Sequence, residues 1–127
     1  MRTQALLIVA LAALTTGCQP ADNSADISEG AALFAANCEV CHGPQGNVRE
    51  AENYDADTPD LRAIARNAPG GRFPQVVLAE VIDGRRMIEG HARSMPTWGE
   101  ALGQGDDELA KARINQLIAY IESIQQR

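Results

Sequence analysis

Cys38-Glu39-Val40-Cys41-His42 places two thiols three positions apart, with an imidazole directly after the second. That spacing is the attachment pattern of c-type haem: the two sulfurs can add to the two vinyl groups of one porphyrin while the imidazole is held beneath the iron. One short stretch thereby specifies both the cofactor and its proximal ligand. A haem protein of this kind needs three further things: an export signal, a distal ligand and a fold that encloses a large apolar ring. Two other uses of the spacing compete. A Cys38–Cys41 disulfide of thioredoxin type leaves His42 unexplained and needs a βαβ context, which no strand pattern here supplies. A zinc site wants a second ligand pair, and His91 is the one typical ligand left over.

The distal ligand decides between electron transfer and ligand chemistry. Met95, in Ser94-Met95-Pro96-Thr97-Trp98-Gly99, is the preferred candidate, because Pro96 biases it away from helical geometry and lets the thioether project from an extended loop. Met87 follows a glycine stop at Gly84 but has no proline after it. His91 would give a bis-histidine iron of lower potential. Trp98 has three uses open to it: lining the haem edge, donating its N–H to a propionate, or packing in the core.

The chain opens with Met1-Arg2-Thr3 and an apolar run from Ala5 to Leu14, the pattern of a secretory signal peptide. The run is far short of the roughly 20 apolar residues of a membrane span. It ends at Leu14-Thr15-Thr16-Gly17-Cys18, which resembles the lipobox of bacterial lipoproteins, although Thr15 stands where leucine is usual. Cleavage before Cys18 with lipid on its sulfur accounts for the third cysteine; an ordinary cleaved signal with an incidental cysteine is the alternative. The expected organisation is a signal peptide at 1–17, a lipid-attached flexible tether at 18–27 and one small domain at 28–127. A formal net charge of −6 argues against nucleic acid as a partner. With aromatics at 4% the domain has few large core residues, and a buried macrocycle would supply much of the missing apolar centre.

Ser28 followed by Ala31, Leu33, Phe34 and Ala35 predicts a serine-capped helix over 29–37. Gly43 to Asp60 reads as a polar loop. Asp55, Asp57 and Asp60 do not make an EF-hand, because Asp60 and Arg66 stand where glycine and glutamate are required. Phe73 to Ile82 predicts a helix stopped by Gly84. After a less regular segment to Gly105, Asp106 opens the clearest helix, with Leu109, Ile114, Leu117, Ile118, Ile121 and Ile124 as its apolar stripe.

From Ser28 to Gln126 the chain resembles class I c-type cytochromes. Gly30 and Phe34 match that family's glycine and aromatic ahead of the first haem cysteine, and Leu117 and Tyr120 match the apolar–aromatic pair of its last helix. The resemblance implies a small all-α cytochrome c fold of about three to five helices around one covalently bound haem c. It implies that the first and last helices cross at those four residues, and that Pro59 of Pro59-Asp60-Leu61 offers its carbonyl to the outer nitrogen of His42 while Leu61 contacts the haem. Pro44 is the alternative acceptor. A hydrogen bond there would set the imidazole tautomer and strengthen its donation to iron.

The implied role is a monomeric, single-haem electron carrier, lipid-anchored at the periplasmic face of a bacterial membrane, cycling between unidentified donor and acceptor proteins. With both axial positions filled, no site remains open for substrate, so an enzyme is not expected. A haem-binding subunit of a larger oxidoreductase and a haem sensor or peroxidase-like enzyme are the other classes; a stable partner in pull-down marks the first, carbon monoxide binding the second. Between Leu61 and Arg93, six arginines face three acids. Arg85, Arg86 and Arg93 are therefore expected to form a basic rim at the haem crevice that steers an acidic partner, unless such arginines only bind propionates or pair with the acidic loop.

Overall fold

A computed structural model describes residues 23–87 and 95–126. Among them are six α-helices, α1 (Ser24–Asn37), α2 (Glu39–His42), α3 (Ile64–Asn67), α4 (Gln75–Asp83), α5 (Gly99–Gly103) and α6 (Asp107–Ser123), joined by loops and short 3₁₀ turns, with no strand. The fold is all-α, as expected. Cys18, His91 and Arg93 lie outside the described residues.

Helix α6 starts where its sequence says it should. The Asp106 carboxylate accepts from Glu108 N at 2.9 Å and Leu109 N at 3.1 Å, satisfying two of the amides that a helix start leaves without partners. Its stripe buries Ala110, Ile114, Leu117, Ile118 and Ile121. Helix α4 ends at Gly84, whose left-handed backbone (φ 92°) turns its amide back onto the Glu80 and Val81 carbonyls.

The fold closes where α1 crosses α6. A Cβ built on Gly30 would lie 2.6 Å from the Gln116 carbonyl carbon, closer still to that carbonyl's oxygen, and 2.9 Å from Tyr120 Cβ. Only a glycine allows the backbones to approach this closely. Beside it the Phe34 and Tyr120 rings meet with centroids 5.3 Å apart and a 50° tilt, a favourable aromatic geometry. Phe34 and Leu117, each 1% exposed, are the most deeply buried large side chains. They join Leu61, Ile82, Leu102, Ile114, Ile118 and Ile121 in one core.

Helix α1 begins at Ser24 rather than after Ser28, with Asn23 as its N-cap residue and Ile27 N donating to Asn23 O at 3.1 Å. A serine inside a helix costs only a few tenths of a kcal/mol, about what Ser28 represents, so nothing stops the helix extending one turn into the segment read as tether. The polar stretch after His42 is a loop but not a bare one. It holds 3₁₀ turns at Pro44–Gly46 and Val48–Glu50, and Val48 is buried. Helices α3 and α5 were not anticipated.

Candidate functional site

The Cys38–His42 motif folds as one helical turn. Cys38 caps the end of α1, its amide donating to Phe34 O at 2.8 Å, and its own carbonyl accepts from His42 N at 2.9 Å. Positions four apart share a helix face, so Cys38 and His42 point the same way. Both line a cavity of about 750 Å³ whose other walls include Phe34, Pro59, Leu61, Leu78, Ile82, Met95, Trp98 and Leu117. Cys41, exposed, lines an adjoining opening of about 240 Å³ that shares Cys38, His42, Pro59, Met95 and Trp98 with the first. The two spaces are therefore one cleft, reached by all seven residues expected to handle the cofactor.

His42 is 7% exposed, a buried imidazole at the cleft wall. Burial, with the Cys41 thiol beside it as the smaller cause, pushes the Cys38 thiol up to about 11. At neutral pH it is a protonated thiol. Redox-active Cys-X-X-Cys pairs work through a thiol depressed well below its ordinary value, so this environment is the opposite of the one a thioredoxin-type use requires.

Tertiary contacts position the remaining groups. Trp98 N donates to Ile82 O at 2.9 Å, which fastens the Met95–Trp98 loop to the end of α4. Across the cleft, the Arg62 guanidinium holds the Pro59–Leu61 segment: it donates to both Asp60 carboxylate oxygens, at 3.0 and 2.7 Å, and to Asn47 Oδ1 at 2.8 Å. That bidentate pairing keeps the Asp60 carboxyl below its ordinary range. Gln125 then ties the segment to the C-terminal end of α6. Its side-chain amide donates to Leu61 O at 2.7 Å and Ile121 O at 2.8 Å, and its carbonyl accepts from Ala65 N at 2.8 Å. Sequence reading missed Arg62, Asn47 and Gln125 as supports of the site. An Arg-Asp pair two residues apart is visible in the chain, but its bridge to Asn47 is a property of the fold.

Of the three arginines expected to form the basic rim, Arg93 lies outside the described residues and the two described ones do not line the cleft. Arg85 pairs with Asp83, and Arg86 pairs with Glu80 at 3.0 Å, so each has its own counter-charge. Helix α4 ends before them and turns them toward its own acidic residues.

A predominantly apolar cavity of this size lies within the usual range for bound small molecules. Its donors, two thiols, an imidazole and a thioether, suit a haem that is both tethered and axially ligated. A helical fold closed by its first and last helices around such a cleft defines a class I c-type cytochrome. A family model described as "Cytochrome C oxidase, cbb3-type, subunit III" matches residues 25–121, and the chain belongs to that cytochrome c family. It is 28% identical over 116 residues to cytochrome c6 of Synechococcus sp., covering 91% of this chain and 86% of that protein. It is also 30% identical over 103 residues to the chloroplastic cytochrome c6 of Chlamydomonas reinhardtii, covering 80% of this chain and 61% of that one. No solved structure gives a significant match. Family membership implies haem c as the cofactor and electron transfer as its use.

Proposed function

We propose that this chain is a single-haem electron carrier in which Cys38 and Cys41 would hold one haem c covalently and His42 and Met95 would ligate its iron. The observation that carries the reading is that Cys38 and His42 line one apolar cavity with Met95, which lies more than fifty residues further along the sequence. Haem supplies a one-electron Fe(III)/Fe(II) couple there. The protein's part is to orient and to exclude. The α2 turn aims the His42 imidazole into the cleft, where the Pro59 carbonyl, on the same wall, would accept a hydrogen bond from the N–H of its outer nitrogen. Leu61, Trp98 and the core leucines and isoleucines would keep water from the bound haem, and ligation by His42 and Met95 would raise its potential relative to a bis-histidine iron.

The domain works outside the cytoplasm, tethered to a bacterial membrane by lipid on Cys18, with a signal peptide at 1–17, a tether from Cys18 to the start of α1 at Ser24, and the haem domain from there onward. Among the described residues no helix is long and apolar enough to cross a membrane, so attachment would fall to that lipid. Its donor and acceptor are redox proteins. Expression with the haem-attachment machinery tests the reading: haem should stay with the polypeptide after acid–acetone extraction and denaturation, and Cys38→Ala with Cys41→Ala should abolish that retention. A native chain that releases its haem would overturn the proposal. The description of the matching family favours a second reading, a haem subunit within a larger oxidoreductase. Co-purification of the native protein with stoichiometric partners would favour the subunit; a single small species would favour the free carrier.

A further inference from the structure

The cleft opens to solvent beside Cys41, through a mouth lined by Asn53, Asp55, Asp57, Thr58 and Pro96. Asn53 N donates to Val40 O at 2.9 Å, which fastens this loop to the haem-motif turn. Two apolar side chains accompany that junction. Val40 is 42% exposed and Tyr54 is 59% exposed, two of the few large apolar side chains left in solvent. Glu52, Asp55 and Asp57 flank them, all exposed, and among the described residues none of the three has an ion-pair partner. Arg62, beside the cleft-lining Asp60 and Leu61, behaves differently, being committed to Asp60.

We infer that this mouth is a docking face for a redox protein that presents basic side chains around a small apolar centre, the reverse of the charge preference expected from the arginine-rich segment. The inference rests on the haem reading of the cleft. An apolar centre with a polar rim is the usual anatomy of a protein interface, and tyrosine is enriched there because it buries a large area at low entropic cost. Unneutralised carboxylates around that centre draw a cationic surface to the place where the cofactor is most accessible, and hold it in the orientation that brings the two redox groups closest. Arg85 and Arg86 line neither the cleft nor its mouth, and each is paired with an acid, Asp83 or Glu80.

The test uses the haem-loaded protein and measures second-order electron exchange with a strongly basic single-haem cytochrome, with an acidic one as comparator. Asp55→Asn with Asp57→Asn is set against Glu100→Gln with Asp107→Asn, which removes the same charge beside a separate cavity. At an ionic strength of about 10 mM, where screening extends over roughly 30 Å, the first pair should slow exchange with the basic probe about threefold or more, and the second pair by much less. Tyr54→Ala should slow it at high salt as well. The absorption spectra of the native protein and of every variant are recorded first: a native protein without covalent haem refutes the haem reading, whereas slower exchange by a variant that keeps its haem is loss of docking. A mouth variant no slower than the control pair, or faster exchange with the acidic probe at low salt, overturns the inference. So would a native protein that self-associates and buries Tyr54, since the occupant would then be a second copy of this chain.

Discussion

Gly30→Ala is the sharpest test of how the fold closes. In an ordinary helix interior the change is favourable by about 1 kcal/mol, because alanine forms helix more readily than glycine. Here the new methyl would face backbone and a Cβ, none of which can swing aside. Moving the Gln116 carbonyl carbon from 2.6 Å to the 3.4 Å of ordinary contact separates α1 from α6 by about 0.8 Å. A gap of that size forfeits roughly a quarter to a half of the dispersion attraction across it. Phe34 and Leu117 sit at the seam, and full burial of such side chains stabilises by about 1.5–3 kcal/mol each, so the packing loss is about 1–3 kcal/mol. Residual overpacking strain adds about 1–3 kcal/mol. After subtracting the helix-propensity gain, the net destabilisation is about 1–5 kcal/mol. Urea unfolding of the haem-loaded protein, followed through the haem absorption and the tryptophan signal, measures it directly. Gly70→Ala is the control: nothing lies within 4 Å of its Cβ, and only its positive φ of 71° resists the change, at a cost of roughly 1–2 kcal/mol. A Gly30→Ala protein as stable as wild type would refute the close crossing and the argument built on it.

Met95→Ala should keep the covalent haem yet open a coordination position, lowering the reduction potential and permitting carbon monoxide binding to the ferrous protein. If Met87→Ala or His91→Ala does this instead, the distal assignment is wrong. Cys18→Ser should release haem-bearing protein from the membrane fraction or stall the uncleaved precursor, which fractionation and mass spectrometry distinguish; membrane retention of a correctly cleaved mutant would point to a protein anchor. The Arg62 pairing lowers the folded-state pKa of Asp60, so its stabilising effect is fully present above the ordinary carboxylate pKa of about 3.9 and is lost as pH falls through the lowered value. Asp60→Asn should therefore weaken the protein at neutral pH and flatten its acid-unfolding profile, and an unchanged profile would contradict the assignment.

The parts of this fold that announce themselves in the sequence are those held by local rules. Asp106 caps α6 by its own side chain, Gly84 ends α4 by its own backbone, and the apolar stripe of α6 repeats often enough to be seen. The haem motif is legible for the same reason, since its chemistry is confined to five consecutive residues. Helices α3 and α5, four and five residues long, carry no periodicity to detect. They are stabilised from outside, α3 by the Gln125 carbonyl accepting from Ala65 N and α5 by Arg113 donating to Leu102 O at 2.7 Å. The arginines show the limit most plainly. Their number is a fact of sequence, but whether a charge faces the cleft or cancels against an acid two or six residues away is decided by where α4 stops.

The crossing of α1 with α6 also bears on the order of events during synthesis. The two helices that close the fold are the first and last of the described chain, and Gln125 and Gln126 anchor back to the Leu61–Ala65 stretch beside the cleft wall. Contacts so distant in sequence are slow to form and cannot form until the final turn of α6 has been made. Until then Cys38 and Cys41 lie on an open chain, without the burial that later shelters Cys38. The thiols are thus reachable during the interval before the last helix docks, and haem installed in that interval would give α6 an apolar surface against which to fold.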